Sequence, residues 1–179
     1  MCFRRSRNNL GVGRRLTAIL AVGSVVAISA ASLSRGVAAA AVVAGPSGDV
    51  AVVVNQNTPV ENLSMGDLKS TVKGDRQFWR PNQRITILIR APVAHERDVL
   101  LKKVYKMSEA EFKQYWVAKV FRTEAPSGPK VIYSNETALA LINSLPGAIA
   151  FVDAGQVPKG VKIVKVDGLL PGSRGYPLN

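Results

Sequence analysis

"RITILIRAPVAHERDVLLKK", Arg84–Lys103, decides how this chain is read. Ile85, Ile87 and Ile89 alternate with Thr86, Leu88 and Arg90, the period-two pattern of a β-strand. After Pro92 the apolar residues Val99, Leu100, Val104 and Tyr105 recur at helical intervals, which predicts a helix from about Ala94 to about Lys106. A strand that runs into a helix N-terminus presents free backbone N–H groups, and anions favour such places. Arg90 ends the strand, and two readings of it stay open: an anion ligand, or a strand-end cation paired with Glu96 or Asp98. His95 and Glu96 likewise form either a binding pair or an ordinary first turn, whose acids complement the helix dipole.

The same reading extends outward. "VAVVVN" (50–55) is a continuous β-branched run, the mark of a strand covered on both faces. Ser64-Met65-Gly66-Asp67 opens a short helix to about Val72, and Ser108-Glu109-Ala110-Glu111 opens a second one carrying Phe112, Tyr115, Trp116, Val117, Val120 and Phe121. That aromatic stripe is expected to pack in the core. "DRQFWRPNQ" reads as an exposed loop with two aromatics, Phe78 and Trp79, which either dock a partner or join the core. "VIY" (131–133) is a brief strand, and Ser134 caps the helix "NETALALINSL". "AIAFVD" and "VKIVKV" are the closing strands. Strands alternating with helices predict a three-layer α/β domain whose mixed sheet is mostly parallel. Ligands of such sheets gather at the carboxyl ends of the strands.

Composition limits the chemistry. The 179 residues begin with "MCFRRSRNNLGVGRR", continue through the mildly apolar "LTAILAVGSVVAISAASL" and reach Ala38-Ala39-Ala40. Basic segment, apolar segment and small-residue site together predict a secretory signal peptide over 1–40, the competing reading being an uncleaved anchor. Residues 41–49 would then be a flexible leader, 50–168 one domain and 169–179 an irregular tail. Six of the 24 basic residues and none of the 12 acids lie before Ala41, leaving 18 against 12, a balance of +6. That charge suits anionic ligands or envelope surfaces rather than nucleic acid. The only cysteine is Cys2 and the only histidine His95, so no cofactor, disulfide or metal site is expected. "HERD" is not a zinc-protease motif, no nucleophile elbow occurs, and the chain reads as a non-enzyme.

Four segments carry a resemblance: "LSMGDLKSTVKGDRQFW" (63–79), "ITILIRAP" (85–92), "YSNETALALINSLPGAIAFVD" (133–153) and "VKIVKVDG" (161–168). They resemble the phosphate ABC transporter substrate-binding proteins of the type II periplasmic-binding-protein superfamily, "PGAIAFVD" with its preceding helix being the most specific part. In that family a strand ends in an arginine and a Ser-Gly-Thr turn opens the next helix; a second helix start contains Asn-Glu.

The resemblance implies a periplasmic or secreted solute-binding protein made as a single lobe, since nearly half the family's length is missing. It also implies a phosphate-like small anion as ligand. Arg90, the amides of Ala94, His95, Glu96 and Arg97, and the turn Ser134, Asn135 and Glu136 would hold it. Ser-Gly-Thr falls on Ala94-His95-Glu96, which has no hydroxyl and adds a carboxylate. Such a charge opposes a dianion unless Glu96 turns away or Arg97 neutralises it. The implied partner is an ABC transporter permease or another envelope protein; a homodimer would restore a closed cleft. The alternative is a ligand-free protein-interaction module that kept the lobe and lost the site.

Overall fold

The computed structural model describes residues 48–179. The expected signal peptide and most of the leader lie outside the described residues. β1 (Val50–Val54) is buried at every position. Its alternate side chains enter different layers: Val50, Val52 and Val54 join one apolar cluster, Ala51 and Val53 the other. β2 (Asn62–Leu63) leads into α1 (Met65–Val72), whose Ser64 side chain accepts from the Asp67 N–H. A short hairpin follows, β3 (Phe78–Arg80) and β4 (Gln83–Arg84), and then β5 (Thr86–Arg90). Where the sequence predicted a loop at 75–83, Asn82 at φ 67° closes this two-stranded hairpin. A left-handed Asn is the usual device for such a turn. Trp79 joins the core: the residue is buried and its Nε1 donates to the Gly147 carbonyl at 3.0 Å.

α2 (His95–Val99) continues without a break into a π-helical turn, Leu100–Tyr105, ended by Lys106 at φ 55°. α3 (Glu109–Phe121) starts with a complete capping box between Ser108 and Glu111. β6 (Lys130–Ile132), α4 (Asn135–Ser144), β7 (Ala148–Asp153) and β8 (Lys162–Val166) complete the fold.

The main sheet runs β2-β8-β1-β7-β5-β6. Three of its five pairings are parallel, β2 with β8 and β5 with both β6 and β7. β1 is antiparallel to both neighbours. A continuous apolar run thus marks burial on two faces, not strand direction. On one face α1, α2 with its π-turn, and α3 pack on Ile87, Ile89, Ile149 and Phe151. On the other, α4 places Ala138 and Ile142 against Ala148, Ala150 and Val152. Small residues on that side of β7 let the helix approach closely. Each fully buried side chain such as Leu88 or Phe151 stabilises the sheet by about 1.5–3 kcal/mol. Helices thus cover both faces of a mixed, mostly parallel sheet, the three-layer α/β architecture that the alternation predicts.

Candidate functional site

β5 and β6 run parallel and end together, Arg90 pairing in register with Ile132. The helix starts of α2 and α4 therefore lie beside one another at the carboxyl ends of the strands, which is where all eight predicted residues fall. Ala94 is the N-cap of α2 but has no side chain to cap with. Its N–H donates to the Ala91 carbonyl at 3.3 Å, and those of Arg97 and Asp98 donate to Ala94 at 3.1 Å each. The N–H groups of His95 and Glu96 have no hydrogen-bond partner among the described residues. Two amides, not four, are therefore free for an anion.

The Arg90 side chain is 15% exposed, and its Nε lies 3.5 Å from Glu96 Oε2. At that distance the pair attracts without a hydrogen bond, and Arg90 Nε and Nη1 are buried with no hydrogen-bond partner among the described residues. Leaving charged donors unmet costs more than leaving neutral ones. Of the two alternatives, Glu96 rather than Asp98 is the arginine's partner. Glu136, on the start of α4, also feels it. The Glu136 carboxyl is held below the usual carboxylate range by its own backbone N–H, then by the Ser134 hydroxyl, and last by the Arg90 charge.

Arg97 does not neutralise Glu96. Its Nε and Nη2 each donate to the Glu109 carboxylate at 2.8 Å, and its Nη1 donates to the Arg90 carbonyl at 2.8 Å. The guanidinium also lies 4.9 Å from the Phe112 ring centre. It is a buried strut that ties β5 to α3, and only its backbone belongs to the site. Hydrogen bonds from Arg97 hold the Glu109 carboxyl below its ordinary range. No periodicity links residues 97 and 109, so the sequence offered no signal for this pair.

His95 is exposed, with Nε2 2.9 Å from the Gly48 carbonyl. Ser134 accepts from the Thr137 N–H at 3.1 Å, a working N-cap. Asn135 is buried, its Nδ2 donating to Gln156 at 2.7 Å while its Oδ1 has no hydrogen-bond partner among the described residues. One further feature escaped the sequence: Val93, 98% exposed, sits at φ 68° in the turn before α2. For a β-branched residue that conformation is strained. What remains is a cluster of Arg90, Glu96 and Glu136 beside two free amides, one positive charge facing two negative ones.

No protein-family model and no curated protein sequence matches the chain. Solved structures do. An ABC-type phosphate transport receptor from Vibrio cholerae superposes with a TM-score of 0.55 at 24% identity, over 69% of this chain and 48% of the receptor. The chain has the fold of part of a phosphate receptor. A putative phosphate ABC transporter substrate-binding protein with bound phosphate from Clostridium perfringens gives 0.55 at 19% identity, over 69% of this chain and 46% of that one. PstS from Borrelia burgdorferi gives 0.55 at 13%, over 73% and 53%. The chain therefore spans about half the length of these receptors, which accords with a single-lobe form. At these identities the likeness establishes the fold. Among the described residues no helix is long and apolar enough to cross a membrane, and no group of three metal-ligating side chains occurs.

Proposed function

We propose that the protein is an exported, non-enzymatic solute-binding-type protein that takes a small oxyanion at Arg90, the free amides of His95 and Glu96, and the Ser134–Glu136 turn. The observation that carries this reading is the Arg90 guanidinium, whose Nε and Nη1 are buried without acceptors at the carboxyl end of a receptor-like sheet. An oxyanion brings negative charge and acceptors to a guanidinium that lacks them, and hydrogen bonds of that charge-assisted kind are the strong ones. The flanking Glu96 and Glu136 decide which anion. With two carboxylates against one guanidinium, a dianion is repelled and a singly charged oxyanion is favoured. Binding of phosphate therefore strengthens as the buffer is made acidic enough to favour its monoanion. The likeness to receptors of ABC transporters also supports a transporter permease as partner.

Calorimetric titration with phosphate tests the reading. Replacing both acids, Glu96→Gln with Glu136→Gln, should tighten phosphate binding at least tenfold, about 1.4 kcal/mol, and Arg90→Lys should weaken it. Silence of the doubly substituted protein at millimolar phosphate would end the oxyanion reading.

A second reading, a protein-interaction module, draws on the outer face of α3. Val117 and Phe121 are exposed there, Phe121 at 89%, with Val120 partly so. The 75–83 hairpin offers Phe78, 44% exposed, as a further apolar contact, while Trp79 is buried. A hetero-complex on a sizing column that Phe121→Ser abolishes and Arg90→Lys leaves intact would favour this reading.

A further inference from the structure

A cavity of about 180 Å³ opens at the opposite end of the same strands. Its walls come from four separate segments: the loop after α1, the start of β5, the side of α3, and the loop 125–128 before β6. The inner surface is mostly apolar, from Ile85, Ile87, Trp116, Ala125 and Pro126, with Thr86 and Ser127 also in the lining. Two glycines bring backbone up to the Trp116 ring. A Cβ on Gly74 would stand 2.9 Å from the ring carbon Cη2, whereas one on Gly128 would meet Trp116 only at 3.8 Å. Gln77 fixes the mouth by donating to the Glu124 carbonyl at 2.8 Å.

Three cations line this cavity, Arg76, Arg84 and Lys130, and no acid does. None of the three has a carboxylate within ion-pair distance among the described residues. Both arginines are instead positioned by aromatic rings, Arg76 over Trp79 and Arg84 over Phe78, each 5.1 Å from the ring centre. Arg76 Nε also donates to the Phe78 carbonyl at 3.2 Å. Stacking of this kind holds a guanidinium in place and leaves its charge uncompensated.

From this geometry we infer a second binding site, for a small organic carboxylate with a compact ring or branched apolar body. The volume suits one ring: a protein cavity of roughly 150 Å³ with apolar walls accepts benzene. The body fills the space against Trp116, Ile85 and Ile87 and is driven there by burial of apolar surface. The carboxylate stays at the mouth, where Arg84, Lys130 and Arg76 supply donors in a charge-assisted bond. Inorganic phosphate does not fit this chemistry, since a mostly apolar floor offers little to replace its hydration. The site stands apart from the Arg90 cluster, so either can fail without the other.

The test uses the full chain labelled with nitrogen-15, titrated with benzoate, benzyl alcohol and inorganic phosphate, and followed by amide and indole resonances. Benzoate should move the resonances of Trp116, Gly74 and Gly128 saturably, and benzyl alcohol should bind at least tenfold more weakly. Gly128→Leu, whose side chain would occupy the cavity from a position with ordinary clearance, should remove the response. If that variant fails to fold, Arg84→Gln with Lys130→Gln, both exposed sites, should weaken benzoate at least tenfold. The inference is overturned by an absence of saturable shifts at millimolar benzoate, by equal binding of benzyl alcohol, or by phosphate moving the cavity resonances as strongly as benzoate does.

Discussion

The two ends of β5 treat positive charge in opposite ways. At the carboxyl end Arg90 is paired with Glu96 and its charge is felt by Glu136, and Arg97 is consumed by Glu109. At the amino end Arg76, Arg84 and Lys130 face a cavity with no acid in its lining. The fold's receptor-like end is thus the electrostatically answered one, and the unanswered charge sits where the fold gives no reason to look. Net charge alone does not say where an anion goes. What matters is which cations the local structure has already neutralised.

The amino end is also closely packed at Gly147, and that is where it can be broken most severely. It sits at φ 86°, and a Cβ there would lie 2.3 Å from the Arg84 carbonyl oxygen. Gly147→Ala should therefore lose about 3 kcal/mol or more in urea denaturation, from left-handed strain and overpacking together. A loss under about 1 kcal/mol would show that the amino end yields more easily than this contrast requires. Next in size is the strut at the carboxyl end. Glu109→Ala leaves the buried Arg97 with two unmet donors, and a loss of about 2 kcal/mol is expected by the same assay.

The pH dependence sharpens the contrast further. Folding lowers the Glu109 carboxyl below its ordinary range, so the unfolded chain takes up that proton at higher pH than the folded one. The contribution is complete above the ordinary carboxylate range and disappears as pH falls through the depressed folded value. Melting temperature plotted against pH should have a shallower acid limb in Glu109→Gln than in the parent. A matching slope would mean the ion pair is not what acid breaks. The smallest effect is expected at Val93. Val93→Gly exchanges left-handed strain for greater freedom of the unfolded chain and should raise stability by about 0.5 kcal/mol, with no packing lost. A fall in melting temperature would show that Val93 supports the turn in some other way.

How far the sequence carried follows from the kind of signal each element has. β1, the α1 and α3 caps and the β5–α2 junction rest on short-range pattern, and each is legible within a dozen residues. Strand direction is not short-range: "VAVVVN" looks the same whichever way its neighbours run. The α3 stripe shows a finer failure. Phe112 and Trp116, four apart, face the core, but Val117, Val120 and Phe121 follow the helix round to solvent. The Arg90 junction was visible because one segment holds strand, arginine and helix start. The fate of its charges was not, since Glu109 and Glu136 arrive from elsewhere in the chain. The cavity was wholly invisible, being assembled from four segments none of which has a motif.

The closing residues carry a practical consequence. Leu178 is fully buried, its carbonyl accepts from the Val50 N–H at 2.8 Å, and the Tyr176 hydroxyl donates to the Val50 carbonyl at 2.9 Å. The chain's last few residues thus act as a clasp over its first strand, joining positions 126 or more apart in sequence. A chain cut before Tyr176 would lose the cover over the start of β1 and strand both polar groups of Val50.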